Sequence, residues 1–224
     1  EINILDITSS SVDLTDDYKS SVPYQLVNNN LFTFQSNYLT NNLKLSLHVG
    51  YFINNLKEHE KWTRPDFDIS IKHLQLSPNI RYSVDKFTFN IGSQISTLDN
   101  LNNQTDRLVP DASSLNVGPY VIVDFEDDNF GFNYGIRYDY KSLESNDETF
   151  NINYDNEFSS TSFSAGIFYK YLDNTVRLTY SGAYRAPHFS ELFSDGVHHG
   201  TNRYEIGNIN LDIEQANQID VKYQ

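Results

Sequence analysis

Apolar and polar residues alternate one by one along much of this 224-residue chain. The alternation is clearest at 43–54, 130–139, 163–171, 176–181 and 219–223. Successive side chains of a β-strand point to opposite faces, so a period of two gives one apolar and one polar face. No sustained stretch has the spacing of an amphipathic helix. The pattern therefore predicts an all-β protein.

The composition fits strands that have one face in lipid and the other in water. Only 38% of the residues are hydrophobic, yet 14% are aromatic, mostly Tyr and Phe. A transmembrane β-barrel has an apolar outer face, a polar interior and aromatic girdles at both rims. No stretch approaches the roughly 20 apolar residues of a spanning helix. We therefore predict an antiparallel, up-and-down transmembrane β-barrel.

The connections between the alternating stretches are of two kinds, short and long, in strict succession. Asn and Asp, which tolerate the backbone angles of tight turns, dominate the short ones. The short turns are at 40–42, 85–86, 127–129 and 173–174, and the long polar connections are near 55–66, 98–114, 144–156 and 186–216. An up-and-down barrel has short periplasmic turns and long extracellular loops. A soluble β-sandwich has no reason to keep this order.

About nine strands are expected. They are 24–39, 43–55, 67–84, 87–97, 115–126, 130–143, 157–171, 175–185 and 217–224. Nine strands in a row leave two open edges, and unpaired backbone groups in lipid cost several kcal/mol each. We therefore expect residues 1–224 to be an incomplete segment of one larger barrel domain. The lack of Met likewise suggests that the chain does not begin at a translation start.

Charge and motifs exclude several other classes. The net charge of -14 argues against nucleic acid as a partner, because phosphates require patches of Lys and Arg. The chain has no Cys, so disulfides and thiolate chemistry are excluded. It also has no Ser-His-Asp spacing, phosphate-binding loop or His-Glu-x-x-His zinc motif. We therefore expect no catalytic residues and no enzyme.

Two motifs near the end of the chain resemble boxes of the TonB-dependent outer-membrane receptors. Tyr-Arg-Ala-Pro at 184–187, followed by Glu-Leu-Phe at 191–193, resembles the Phe-Arg-Ala-Pro box and its Glu-Leu. Asn-Ile-Asn-Leu at 208–211 resembles the Asn-Pro-Asn-Leu box, with Ile209 in place of Pro. Further matches, in the order of the family, are 22–25, 54–58, 108–111 and 135–139.

The resemblance implies the middle part of a 22-strand barrel filled by an N-terminal plug. Plug, TonB box and closing strands are expected to lie outside these residues. It further implies a protein of the outer membrane of a Gram-negative bacterium, in contact with lipid and lipopolysaccharide. Such a protein imports a scarce ligand with energy supplied by TonB through the plug.

The transported ligand stays open at this point. A ferric siderophore, haem, zinc or another metal complex would be cargo, and no built-in cofactor is expected. A passive porin or adhesin has the same wall but does not explain the ordered boxes. An outer-membrane lipase or a soluble β-sandwich are the remaining alternatives.

The loop between the two boxes holds the candidate ligand-binding residues. Imidazole is a common ligand of haem iron and of zinc, and in haem receptors of this family a His lies between the boxes. The alternative is that the boxes only shape the loop and that its His pair is solvated. The candidates are His188, Asp195, His198, His199, Arg203, Tyr204 and Glu205.

A few candidates lie elsewhere. His59, between Glu58 and Glu60, is a second possible metal ligand beside His198 and His199. A charged loop tip of this kind can also be simply solvated. Five other basic residues fall on the polar phase of their strands and are expected to face the lumen, namely His48, Arg81, Arg137, Arg177 and Arg185.

Overall fold

The structure is a computed structural model that describes residues 23–59, 64–103, 107–198 and 203–224. Its main feature is an antiparallel sheet of nine strands, in which sequence neighbours pair in order and β8 pairs with β11. The sheet strands are β1 (Tyr24–Leu39), β2 (Leu43–His59), β3 (Phe67–Val84), β4 (Phe87–Asn102), β5 (Ala112–Glu126), β6 (Phe130–Asp147), β7 (Ile152–Tyr171), β8 (Asn174–Arg185) and β11 (Glu214–Tyr223). The predicted nine-strand, up-and-down arrangement is confirmed.

The chain between β8 and β11 has structure of its own. It contains a short helix, α1 (Phe189–Phe193), and a two-stranded hairpin of β9 (Asp195–His198) and β10 (Arg203–Ile206). The alternation did not predict these elements, because five or four residues are too few to establish a period. No helix in the described ranges is long and apolar enough to cross a membrane.

Three of the four short turns lie where they were predicted, and the fourth is at 172–173, one residue before its predicted place. All four lie at one end of the strands, which we name the turn end. Asp85 has a positive φ of 50° there, as a tight turn of two residues requires. At the opposite end, the loop end, several strands run further than expected. β6 reaches Asp147 and β7 begins at Ile152, so the predicted loop 144–156 shrinks to a turn. Leu143, Ser145 and Asp147 are buried by other parts of the chain here, so the apolar and polar alternation stops while the ladder continues.

The strand register assigns every side chain to one of two faces. Directly paired residues of an antiparallel ladder point to the same side. Leu45, Ile136 and Ile167 share the apolar face and are exposed there, outside the buried cluster. The opposite side, the polar face, carries all five basic residues predicted to face the lumen, which are His48, Arg81, Arg137, Arg177 and Arg185.

Aromatic rings cluster on the apolar face at the turn end. The ring centroids of Phe87 and Phe125 are 4.9 Å apart, and those of Phe125 and Phe132 are 5.3 Å apart. Phe89 and Phe130 extend the cluster to either side. A band of rings beside the short turns is what an interfacial girdle requires.

Large side chains on the polar face lie flat over glycines of the neighbouring strand. An added Cβ on Gly118 would lie 2.0 Å from the Arg137 guanidinium, and one on Gly131 would lie 2.2 Å from the Phe168 ring. The Arg137 guanidinium is held there, because it donates to Gln94 at 2.8 Å and forms an ion pair with Asp139 at 2.6 Å. The polar face is therefore nearly flat, although it carries large side chains.

The two faces give opposite responses to an added charge. Ile136→Arg places a guanidinium on the lipid face, four residues along β6 from the girdle residue Phe132, and we expect a loss of about 2–4 kcal/mol of stability. Ser164→Arg on the polar face, opposite Gly135 and Ser181, is the matched control and leaves stability within about 0.5 kcal/mol. Urea unfolding of the full-length protein in lipid vesicles measures both. Equal losses would contradict the assignment of the faces.

Candidate functional site

The connection 186–213 folds back onto the polar face at the loop end. Phe189, Leu192 and Phe193 of α1 are buried against a cluster that includes Leu143 of β6, which is 0% exposed. The Phe193 ring meets Tyr154 of β7 edge-on, with centroids 5.0 Å apart. This apolar cluster holds the connection against the polar face at the loop end.

Arg185 closes the base of this connection. Its guanidinium binds both carboxylate oxygens of Glu191, at 2.8 and 2.9 Å, and also binds Glu214 at 2.8 Å. Glu214 is the residue directly paired with Arg185 in the ladder of β8 and β11. The Arg of the first box therefore joins the end of β8, the first turn of α1 and the start of β11.

His188 is the N-cap of α1. Its Nδ1 accepts a hydrogen bond from the backbone N–H of Ser190 at 3.3 Å and lies 2.8 Å from the Ser190 hydroxyl. Glu191 accepts from the backbone N–H of His188 at 2.7 Å, which completes a capping box. Because Nδ1 is an acceptor here, the hydrogen-bond pattern assigns the proton of the neutral ring to Nε2.

The protonation state of His188 follows from its surroundings. Burial lowers the pKa of the imidazole, and the nearby ammonium of Lys141 lowers it further. A neutral ring with its proton on Nε2 can donate a hydrogen bond from that atom but cannot ligate a metal through it. His188 is therefore a structural cap and a possible donor to a ligand.

The second box packs against α1 through a glycine. Gly207 donates its N–H to the Ser194 carbonyl at 2.6 Å, and Asn208 donates to the Glu191 carbonyl at 2.9 Å. A Cβ on Gly207 would lie 2.5 Å from the backbone of Leu192. No side chain fits at this close approach between the two backbones.

A polar network under the hairpin fixes the Val-Pro-Asp motif at 109–111. Asn100, fully buried, donates to the Pro110 carbonyl at 2.9 Å. Asp147 accepts from Arg107 at 2.5 Å and from the Asp111 N–H at 3.0 Å. Burial alone would raise the pKa of Asp147, but hydrogen bonds from Asp111 and Thr149, with the Arg107 charge, lower it.

The hairpin of β9 and β10 sits on this network and brings two predicted candidates together. The Asp195 N–H donates to the Leu108 carbonyl at 3.0 Å. The Tyr204 hydroxyl donates to the Asp195 carboxylate at 2.7 Å, and this bond raises the pKa of the phenol. Arg203 is paired in register with His198, and Glu205 with Gly196. Arg203, Tyr204 and Asp195 are exposed.

Of the remaining candidates, His198 contributes only its backbone to the described part of this hairpin. His199 and the side chain of His198 lie outside the described residues, so their role as metal ligands stays a prediction. His188 lies at the base of the connection, where it caps α1. Two sets of candidates thus exist, one on the hairpin strands and one at the base of the connection.

The structure gives His59 no second ligand among the described residues. Its ring stacks on Tyr24, with centroids 4.6 Å apart, on the apolar side of β2. Glu58 is the neighbouring residue, so it points to the opposite face, where it accepts from Gln25 at 2.6 Å. Glu60 is outside the described residues. Within those residues no three His, Cys, Asp or Glu side chains form a metal site.

Lys141 is a site residue that the sequence reasoning missed. Its ammonium donates to the Pro187 carbonyl at 2.6 Å and so holds the start of the connection. It lies on the polar phase of β6, two positions after Asp139. Extending the alternation beyond Asp139 would have placed it on the same face as Arg137.

The close approach at Gly207 is testable. Gly207→Ala should push 207–211 away from α1 at a cost of about 1–3 kcal/mol, because the new methyl meets backbone that cannot rotate away. Trypsin cleavage after Arg203 in the full-length protein should become faster. Gly50→Ala is the control, since its Cβ would meet nothing within 4 Å. Unchanged cleavage in the Gly207 variant would contradict the packing.

The ion pair at the base gives a pH dependence. The Arg185 guanidinium and the His188 N–H lower the pKa of Glu191 from 4.5 to about 2. Because the folded pKa is depressed, the pair contributes fully above pH 4.5 and is lost as the pH falls through about 2. The protection of the α1 amides, measured relative to the intrinsic exchange rate at each pH, should therefore persist down to about pH 3.

The matched variants are Glu191→Gln, which should speed that exchange already at pH 7, and Glu144→Gln on the exposed side of β6, which should not. Equal exchange in the Glu191 variant and the unaltered protein would mean that Arg185 does not fix α1.

Comparisons with known proteins agree with this architecture. In the structure of the Serratia marcescens hemophore receptor HasR with its hemophore HasA and heme, 36% of the chain is matched with a TM-score of 0.73 and 13% identity, over 89% of this chain. The copper transporter OprC gives a TM-score of 0.68 with 17% identity, over 88% of this chain and 36% of its own. The siderophore receptor PiuA from Acinetobacter baumannii gives 0.67 with 13% identity, over 90% and 38%.

These likenesses concern the fold, and the chain spans only a little over a third of each neighbour. The comparison with curated proteins gives no match. The family model described as "TonB dependent receptor-like, beta-barrel" matches residues 3–224. The resemblance predicted from the boxes is thereby confirmed, and the chain belongs to the TonB-dependent receptor β-barrel family.

Proposed function

We propose that the protein containing this chain is an active importer of the Gram-negative outer membrane, energised by TonB. Membership in the receptor β-barrel family over 3–224 carries the proposal. The apolar face, the aromatic cluster at the turn end and the polar wall support a place in a bilayer. TonB is the partner expected from the family, and coupling to it would run through a plug domain.

The cargo we propose is a scarce metal-containing complex, such as a ferric siderophore, haem or another chelated metal. Structural neighbours include a copper transporter, a hemophore receptor with heme and a siderophore receptor. Ligand contact is proposed for the exposed hairpin, through Asp195, Arg203, Tyr204 and Glu205, together with His198 and His199. In this proposal the protein binds and moves its ligand without chemical conversion.

Uptake by cells tests the proposal. Deletion of the gene should lower uptake of at least one radiolabelled metal complex, among ferric chelates, haem and copper. Deletion of TonB should lower uptake of that complex to the same level, because an active importer needs the energy that TonB delivers. Uptake that persists without TonB would identify a passive porin. No change on gene deletion would point to an adhesin.

The His pair has its own test. Replacing both His198 and His199 by Ala should weaken binding at least tenfold if the cargo is haem or a metal that accepts imidazole, because an axial or metal ligand is lost. His48→Ala, on the polar face of β2, is the control. Unchanged uptake and affinity would exclude haem and imidazole-bound metals as cargo. Chelates that fill every coordination position of their metal would then remain.

A further inference from the structure

A pocket lies at the loop end of the polar face, below the start of the connection 186–213. Its volume is about 340 Å³. Lys141 of β6, Ser160 of β7 and Arg185 of β8 line its wall, and Ala186 and His188 cover it. The pocket therefore sits where the connection begins on the polar face, and no residue of the hairpin strands β9 and β10 lines it.

The carboxylates around this pocket are already engaged. Asp139, which also lines it, accepts from the Arg137 Nε at 2.7 and 2.9 Å and forms an ion pair with the same guanidinium. Glu191 accepts from Arg185 and from the His188 N–H. Negative charge near the pocket is thus neutralised by fixed partners, and little of it is free to attract a cation.

Two hydrogen-bond donors remain free to act in the pocket. The Lys141 ammonium carries three N–H groups and, within the described residues, uses one of them on the Pro187 carbonyl. His188 uses Nδ1 as an acceptor for α1, which leaves Nε2 as a donor. An ammonium and an imidazole N–H at the same pocket form a site for an oxygen anion.

We propose that this pocket binds an anionic oxygen group of the transported complex, such as a carboxylate or a catecholate oxygen, through Lys141 and His188. The inference rests on the import function proposed above and names the chemical class of its ligand. Charge-assisted hydrogen bonds in a partly buried site favour such a group over a neutral oxygen. Affinity should therefore depend on ligand charge more than on size.

The test uses two ferric complexes of similar size and different charge, with the full-length protein in detergent. A ferric tris-catecholate carries three negative charges and a ferric tris-hydroxamate none. Quenching of intrinsic fluorescence measures binding of each. We expect tighter binding of the catecholate, and Lys141→Gln should weaken it about tenfold, as expected for the loss of a charged hydrogen bond. Because the Gln amide is one bond shorter than Lys, unchanged hydrogen exchange of the α1 amides in this variant checks that the connection stays anchored.

Three further variants separate the pocket from general effects. Lys141→Arg should retain most of the catecholate affinity, because it keeps the charge. His188→Asn keeps an N-cap acceptor for α1 but removes the imidazole donor, so it should weaken catecholate binding as well. Lys44→Gln, on the polar face of β2, should change nothing.

The inference is overturned if neither complex binds, if the hydroxamate binds as tightly as the catecholate, or if Lys141→Gln leaves the catecholate affinity unchanged. Uptake of the same complexes by cells distinguishes failure of the pocket proposal from failure of the import proposal. If uptake depends on the gene and on TonB but does not change in the Lys141 variant, only the pocket proposal is rejected. If uptake does not change when the gene is deleted, the import proposal is rejected.

Discussion

Every backbone N–H and C=O group that enters a bilayer must find a partner within the protein, and this requirement shapes the whole sheet. In the described residues each strand of the nine-strand sheet is laddered to its sequence neighbour, or β8 to β11, over nine or more pairs. The ladder between β3 and β4 lapses at Pro78, which has no N–H to give, yet Pro78 pairs with Leu47 of β2 on its other side. Continuous backbone pairing between strands is thus the main constraint, and the side chains are those that this pairing allows.

The part of the fold that lies in lipid could be predicted from the sequence, because lipid on one side and water on the other impose a period of two. The first strand, both ends of the third and three of the four short turns were predicted as they are found. The strand ends at the loop end could not be predicted in this way. Beyond Leu143 the side chains of β6 point alternately into protein contacts and into solvent, and not into lumen and lipid. A helix of five residues and a hairpin of two four-residue strands leave no periodic signal.

For the candidate site, the sequence indicated a connection but not the contacts that shape it, and ligand binding there stays a prediction. Residues in and beside the two boxes explain the shape of this connection: Arg185 ties three segments together, and Gly207 permits a backbone contact that no other residue allows. His188 was chosen for its imidazole, but its function in the structure is to cap α1. His59 stacks on Tyr24 on the apolar side of β2, while Glu58 points to the opposite face, so a role of His59 as a metal ligand stays a prediction.

The flat side chains over glycine have a further consequence for anything that occupies the interior. Arg137 and Phe168 are confined between the backbone below and their partners beside them, and the Phe168 ring is flanked by Lys170 and Arg177 at 5.0 and 5.3 Å. Side chains that are already immobilised lose little rotamer entropy when another surface covers them. Any surface that packs against this wall therefore meets side chains that are already pre-organised for contact.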